Sequence, residues 1–368
     1  MIRIIIAILL IILLHLISRT LSLDGFVSYI NPLYPVSLNL DDGDKRKLNI
    51  NVDSKIASKH YDYTTLFYNI FLDYNNQNLV FVGPLLYELN DKYMDFSVYF
   101  NGSKTNRSHE EQRSHLFCLK YGVENVNENN SVEIHINGHK KQLTIAKNNY
   151  KCGNRILITK QKNNKPKWII DWINHYTHRY NVTNIVIFDN NSDDFDGLKR
   201  QLESFSHVSL IPYNFPFGVP RKFPSNFLQH NLMEIGFQQF CKDDVFIFNF
   251  DIDELLVVDP AQLNSVLSTK DIGYKVDMWW VPMLLDGEDY SYKDFKYKEP
   301  NKTNSGNKYI VNKRNTKHLG IHYVITTNKM VRDGGYFLHF KGINTNWKYK
   351  RAKNTDIDTS TFKKIDEF

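Results

Sequence analysis

Residues 251–254, Asp-Ile-Asp-Glu, place three carboxylates within four positions, and the chain on either side of them is apolar. The preceding run, residues 245–250 (Val-Phe-Ile-Phe-Asn-Phe), alternates little. It reads as a strand buried on both faces, as in a parallel or mixed α/β sheet. Acids at the carboxyl end of such a strand sit where open α/β sheets bind ligands. Packed like charges repel and call for a compensating cation. Hard oxygen donors at this spacing suit Mn2+ or Mg2+ carrying a diphosphate. A lone D-x-D is more often a solvated acidic turn, but the apolar flanks and the pattern upstream weigh against that here.

Other residues could join this chemistry. On an expected helix over residues 167–180, Trp168, Trp172, His175 and Arg179 share one face, with Asp171 beside them. The bland alternative packs Trp172 on a sheet and makes His175 a satisfied polar residue. Asp189 ends an expected strand, where its carboxylate could accept hydrogen bonds from a nucleotide's base or ribose, or cap the next helix. Residues 189–196 suggest a calcium loop, but Asp194 stands where glycine is required and Arg200 where glutamate is required, which excludes an EF-hand. A phosphatase-type aspartyl nucleophile belongs on the first strand of its domain, whereas Asp251 follows three others. Near the C-terminus, His339, Lys341, Trp347 and Lys348 fall close together. An imidazole can complete a metal shell begun by carboxylates, and lysines can neutralise a diphosphate. The alternative is a surface strand with basic residues.

These residues need a frame to hold them. The chain has 368 residues, 42% hydrophobic and 14% aromatic, enough for one large or two ordinary domains with a substantial core. Its net charge of +6 is spread out, which favours a small anionic ligand over nucleic acid. Residues 61–150 show short apolar stretches at 79–86, 96–100, 115–119, 132–136 and 142–145, separated by Asn/Gly turns and by a polar loop at 102–113. They predict a small β-rich domain. From residue 151 to 351 strands and helices alternate. Strands are expected at 155–159, 185–188, 208–211 and 245–250, and helices at 167–180, 194–205 and 227–240. This alternation predicts an α/β fold with a mixed, mostly parallel sheet.

Residues 4–17 form a nearly unbroken apolar run behind Arg3. It is short for a bilayer span, and a signal anchor over residues 1–23 is expected, with a cleaved signal peptide and secretion as the alternative. The anchor would make a single-pass type II membrane protein with its catalytic part in the Golgi or endoplasmic-reticulum lumen. Residues 24–60 read as a polar stem and residues 352–368 as a polar tail. Cys118 and Cys152 could pair, whereas Cys241 lies on an apolar helix face as a core thiol. Glycosylation sequons occur at Asn101, Asn106, Asn129, Asn181, Asn190 and Asn301, with the 101–129 cluster the most credible surface.

Taken in order, these segments resemble glycosyltransferase family 92 and the related bacterial family 2-like glycosyltransferases. The matching stretches are the Trp-containing helix at 167–180 followed by Val182–Ser192 (VTNIVIFDNNS), the helix 229–241 with its Cys, and the block 250–255 (FDIDEL). Residues 308–323 (KYIVNKRNTKHLGIHY) and 338–351 (LHFKGINTNWKYKR) complete the set. The chain departs from the family at 161–164 (QKNN), where a Glu is usual. It carries Asp171-Trp172 for Glu-Trp, and 279–289 does not follow a family pattern closely.

The resemblance implies a GT-A-type nucleotide-sugar-binding fold. It also implies a Mn2+- (or Mg2+-) dependent, inverting transfer of a sugar, of hexosyltransferase type, from a nucleotide-sugar donor to a glycan or glycoprotein acceptor. By that analogy Asp251, Asp253 and His339 hold the metal, and Asp189, Asp251, Lys341 and Lys348 bind the donor. An inverting enzyme also needs a carboxylate base for the acceptor hydroxyl, for which Asp286, Glu288 and Asp289 are candidates. The main alternative is a catalytically inactive GT-A-like protein that binds a glycan or partner. A two-metal hydrolase would need a further His/Asp cluster.

Overall fold

Alternating burial along single strands shows how the layers form. In the computed structural model the described residues run from 36 to 365, apart from 41–43, 49–50, 74–75, 90–92, 94, 114, 128, 147–149, 151–152, 220–221, 223–224, 286–288, 304–305, 333–334, 344 and 346–359. The apolar segment 4–17, Cys152, Asp286, Glu288, Trp347 and Lys348 therefore lie outside the described residues. Among those described, no helix is long and apolar enough to cross a membrane.

The first part of the chain builds two four-stranded antiparallel sheets, beside a short antiparallel pairing of Leu38–Asn39 with Thr65–Phe67. The strands of the two sheets are β1 (Asn69–Asp73), β2 (Asn78–Gly83), β3 (Phe96–Phe100), β4 (Ser103–Thr105), β5 (Arg107–Arg113), β6 (Leu116–Gly122), β7 (Asn129–Ile136) and β8 (His139–Ala146). One sheet has the order β1-β2-β6-β5 and the other β8-β7-β3-β4. In β3 and β7 buried residues alternate with more exposed ones, the period of two of a half-buried strand. Their inward residues Val98, Phe100, Val132 and Ile134 share a core with Ile70, Phe81 and Leu119 of the first sheet. The expected polar loop at 102–113 is instead β4 and β5. The strand β5 (RSHEEQR) is largely exposed and lies at a sheet edge, paired through its backbone with β6. An edge strand with little burial on either face carries no alternation to read.

Part of the expected stem belongs to this layer. A helix spans Ser54–His60, and Arg46 is completely buried. The Arg46 guanidinium donates to the carbonyls of Leu85 (2.6 Å), Asp62 (2.6 Å) and Thr65 (2.7 Å), and lies 3.8 Å from the Asp62 carboxylate. Polar composition here marked a tether between segments rather than a solvated linker.

The second part follows the predicted alternation: β9 (Arg155–Gln161), α1 (Pro166–Asn174), β10 (Asn184–Asp189), α2 (Phe195–Leu202), β11 (Val208–Pro212), α3 (Phe227–Ile235), β12 (Phe246–Asn249), β13 (Glu254–Val257), α4 (Pro260–Leu267), β14 (Ile272–Val281), β15 (Lys308–Asn312) and β16 (Tyr336–Phe340). The sheet order is β11-β10-β9-β12-β15-β14-β16-β13, with a short strand at Lys329–Val331 beside β14. From β11 to β12 every pairing is parallel. Beyond β12 the sheet is mixed: β15 runs antiparallel to β12 and β14, β16 parallel to β14, and β13 antiparallel to β16. Leu157 and Ile187 face a core under α1 and α2, whereas Ile156, Ile158, Val186 and Phe188 face α3.

Both α1 and α3 end in π-helical turns, at His175–Arg179 and Gly236–Phe240. Gly236 allows close approach to the sheet, since a Cβ there would lie 2.7 Å from Ile158 Cγ2. On its far side α3 packs against the first part of the chain: Leu228, Leu232 and Ile235 share a core with Val80, Val82, Leu116 and Cys118. Cys118 is a buried free thiol, its pKa pushed up by burial; Cys152, with which it could pair, lies outside the described residues.

Arg46→Ala is expected to lower the unfolding free energy by about 3–5 kcal/mol, because it strands Asp62 and three buried carbonyls. Denaturant titration measures this. A loss below about 0.5 kcal/mol would mean that residues 44–48 are peripheral to the fold.

Candidate functional site

The strand β12 ends at Asn249, and the chain turns through residues 250–253 before β13 begins at Glu254. The turn closes by the Glu254 N–H donating to the Asp251 carbonyl at 3.0 Å, and the Asp251 N–H donates to Glu254 Oε2 at 2.8 Å. β13 is an edge strand, paired among the described residues with β16 alone. Side chains of α1 and its π-turn serve its other edge. Trp172 Nε1 donates to the Asp251 carbonyl at 2.9 Å, and the Tyr176 hydroxyl to that of Glu254 at 3.1 Å. The Tyr180 hydroxyl donates to the Leu256 carbonyl at 2.8 Å. The same two tyrosines accept from the Leu256 and Val258 N–H groups, at 3.2 and 3.1 Å. Tyr292 donates to the Ile252 carbonyl.

His175 belongs to this scaffold. Its Nε2 donates to the Leu256 carbonyl at 2.9 Å, and burial pushes its pKa down to about 4, so the ring is neutral. The satisfied-polar alternative thus describes it. Trp168 reaches further, donating to the Tyr290 carbonyl at 2.7 Å and stacking on that ring.

The acids of the turn take three different surroundings. Asp251 is partly exposed, and its carboxylate lies between Lys160 Nζ at 2.5 Å and Lys308 Nζ at 3.2 Å. Lys308 is sealed from solvent and also lies 3.0 Å from Glu254 Oε2. Burial opposes its charge, but Asp251 and Glu254 outweigh burial and raise its pKa. Glu254 is buried, and burial raises its pKa against the pull of Lys308. Asp253 Oδ2 lies 3.0 Å from His339 Nε2. The other ring nitrogen, Nδ1, lies 3.2 Å from Met278 Sδ and 3.9 Å from Glu254 Oε1.

Strand register explains the meeting of residues 86 positions apart. Glu254 pairs with His339 across β13 and β16, and His339 pairs with Trp280 across β16 and β14. Glu254, His339 and Trp280 thus form one row across three strands. The Trp280 ring stacks on His339 at 4.4 Å, and Lys341 Nζ lies 4.7 Å from its centroid. Asp253, Glu254 and His339 each offer one ligand atom within 4.8 Å of the others. Two carboxylate oxygens and an imidazole nitrogen fit a Mn2+-type ion, with further positions left for water or phosphate.

The remaining expected residues that are described have partners of their own. Asp189 is fully buried, and its carboxylate accepts from the Ser192 N–H (2.8 Å), the Ser192 hydroxyl (2.7 Å) and Gln161. Burial raises its pKa. Here it organises the loop after β10, and Gln161 occupies the stretch where the resembled family carries a Glu. Lys341 pairs with Glu299 at 2.9 Å. Asp289 is 95% exposed, 3.4 Å from Lys167. Sequence reasoning did not single out Glu254 as a ligand, nor Lys160, Lys308 or Trp280. Glu254 adjoins the D-x-D, and Lys160 lies next to the end of the first strand of the α/β part, so both had a positional signal. Lys308 opened a block that carried the resemblance but no role, and Trp280 had no signal.

No protein-family profile matches the chain, and no curated protein matches it. Among solved structures it is similar to the crystal structure of HddC from Yersinia pseudotuberculosis, at 15% identity and a TM-score of 0.30, over 51% of this chain and 94% of that one. It is also similar to the crystal structure of S. aureus TarS 1-349, at 14% identity and a TM-score of 0.27, over 43% of this chain and 47% of that one. Likenesses this slight carry no functional argument, and the site rests on its own geometry.

A neutral, partly buried histidine gives the fold a pH dependence. His175 has a folded pKa near 4, below the ordinary 6.5, so the unfolded state binds the extra proton between those values. Its contribution to stability is complete above pH 6.5 and is lost as pH falls toward 4, by up to about 3 kcal/mol. His175→Gln can donate the same bond without titrating. Its stability should fall less steeply than wild type over that window, as measured by denaturant melts at stepped pH. Parallel curves would remove His175 from this role.

Proposed function

We propose that this protein is a metal-dependent glycosyltransferase with a GT-A-type site, akin to family 92, that moves a sugar from a nucleotide-sugar donor to a glycan acceptor with inversion. The observation that carries this reading is the convergence of Asp253, Glu254 and His339 at the end of a central strand of a mixed α/β sheet. The pattern of sequence blocks from 167 to 351 supports it. Asp253, Glu254 and His339 would hold Mn2+ or Mg2+. The ion, when bound, supplies charge neutralisation for the departing diphosphate.

The chain's own residues supply the rest. Trp172, Tyr176 and Tyr292 fix the backbone that carries the acids, so the ligand atoms are placed before any ion arrives. Stacking of Trp280 on His339 restrains the imidazole. A carboxylate from residues 286–289 would take the acceptor proton. The membrane anchor with a lumenal catalytic part belongs to the same proposal.

A second reading, a catalytically inactive GT-A-like binding protein, is favoured by one observation: Lys160 and Lys308 already balance Asp251 without a metal. The two readings differ in a direct assay. A panel of nucleotide sugars is screened for Mn2+-dependent release of nucleoside diphosphate, and turnover is expected with at least one donor. Asp253→Asn should reduce that turnover by two orders of magnitude or more, the scale seen when a partner of developing charge is lost. The unliganded variant should melt within a few degrees of wild type, since a partly exposed carboxylate is removed from a crowded acidic cluster. Wild-type turnover in Asp253→Asn would refute the metal-site assignment, and no turnover with any donor would favour the inactive protein.

A further inference from the structure

Three carboxylates, Asp251, Asp253 and Glu254, share the turn with two ammonium groups, Lys160 and Lys308. These five groups together carry one net negative charge. A divalent ion would turn that to one net positive charge, whereas the three acids with the ion alone would remain negative and repel a diphosphate. The lysines therefore decide whether the metal-loaded cluster attracts an anion.

The two lysines are not equivalent. The Lys308 side chain has no exposed surface and is held by two carboxylates, Asp251 and Glu254. The Lys160 side chain keeps 6% of its surface and contacts a single carboxylate, that of Asp251, whose own side chain is 22% exposed. It is the penultimate residue of β9, beside β12, near the carboxyl edge of the parallel strands. An ammonium has three N–H donors, and the contact with Asp251 uses one. The neighbouring His230 does not substitute for it: burial lowers its pKa to about 3, and Lys160 adds to that shift.

We propose that Lys160 is a resident cation with two roles: it competes with metal for the acidic turn in the unliganded protein, and it contacts phosphate oxygen when a metal-bound diphosphate is present. Lys308 stays buried as the fixed counter-charge. This inference rests on the metal-dependent reading above and adds to it the residue that selects a diphosphate-bearing ligand.

The two roles predict opposite effects of one substitution. Binding of Mn2+ alone, and of inorganic pyrophosphate at saturating Mn2+, is measured calorimetrically on the full chain. Pyrophosphate makes the test independent of nucleobase and sugar. In Lys160→Met, Mn2+ alone should bind several-fold tighter, because a competing cation is gone. Pyrophosphate should bind about tenfold weaker or more, the worth of one charge-assisted hydrogen bond. Lys160→Arg should restore most of the pyrophosphate affinity. If Lys160→Met does not fold, because Asp251 loses its nearer partner, the double variant Lys160→Met/Asp251→Asn removes both charges. It should still lose pyrophosphate affinity relative to Asp251→Asn alone.

Unchanged pyrophosphate binding in these variants overturns the proposal and leaves the metal-dependent reading standing. Equal weakening of metal and pyrophosphate also overturns it, since that pattern marks a structural lysine. The crossed result without turnover on any nucleotide sugar upholds Lys160 and refutes sugar transfer. A wild-type protein that binds neither Mn2+ nor pyrophosphate defeats both.

Discussion

A ladder of aromatic side chains replaces the strand that β13 lacks, and the acidic turn depends on it. An unpaired backbone group buried away from water costs on the order of 1–3 kcal/mol. The turn and β13 expose a whole row of such groups to the interior side of α1. Trp172, Tyr176 and Tyr180 meet them at four-residue intervals, donating to the carbonyls of residues 251, 254 and 256. The tyrosines also accept from two N–H groups, so each hydroxyl acts as a strand neighbour would, giving and receiving. Four residues exceed one turn of a regular α-helix, and side chains so spaced drift around its axis. The wider π-turn at His175–Arg179 offsets that drift and keeps Tyr180 aligned with Tyr176.

With the backbone held from one side, strand register brings the second half of the site from the other. β16 lies between β13 and β14, so one row of side chains carries Glu254, His339 and Trp280. The imidazole is then confined by Asp253 at one nitrogen, Met278 at the other, and the Trp280 ring on its face. The lysines come from two further strands, β9 and β15, on either side of β12. Side chains from five strands, β9, β13, β14, β15 and β16, therefore converge at the turn that follows β12. The electrostatic balance there results from topology as much as from composition.

The first part of the chain is more than an appendage. Its inner sheet and α3 share a core, and Asn231 of α3 donates to the His115 carbonyl at 3.0 Å across the junction. Packing α3 between two sheets fixes the far layer of the α/β part, against which β9 and β12 are seated. Arg46 draws residues conventionally read as linker into the same body by donating to three separate carbonyls.

Much of this was legible in the sequence for a simple reason: burial leaves a periodic trace. Apolar runs marked β9, β10 and β12, capping residues marked α2, and the carboxylates following such a run marked the turn. Single positions facing a local partner were also readable, as with His175, whose placement on the aromatic face of α1 implied a satisfied ring. Edge strand β5 left no trace, because backbone pairing needs no particular side chain. Buried Arg46 was hidden, because its partners are carbonyls, which every residue possesses. The composition of the site was divided in the same way. Asp251 and Asp253 stood out by type and spacing and His339 through the resemblance, but Asp251 faces two lysines while Glu254 takes its expected place beside Asp253 and His339. The engagement of Asp251 by Lys160 and Lys308, and the entry of Glu254 beside His339, were decided by which strands lie adjacent and in which register, a long-range property that no local pattern encodes.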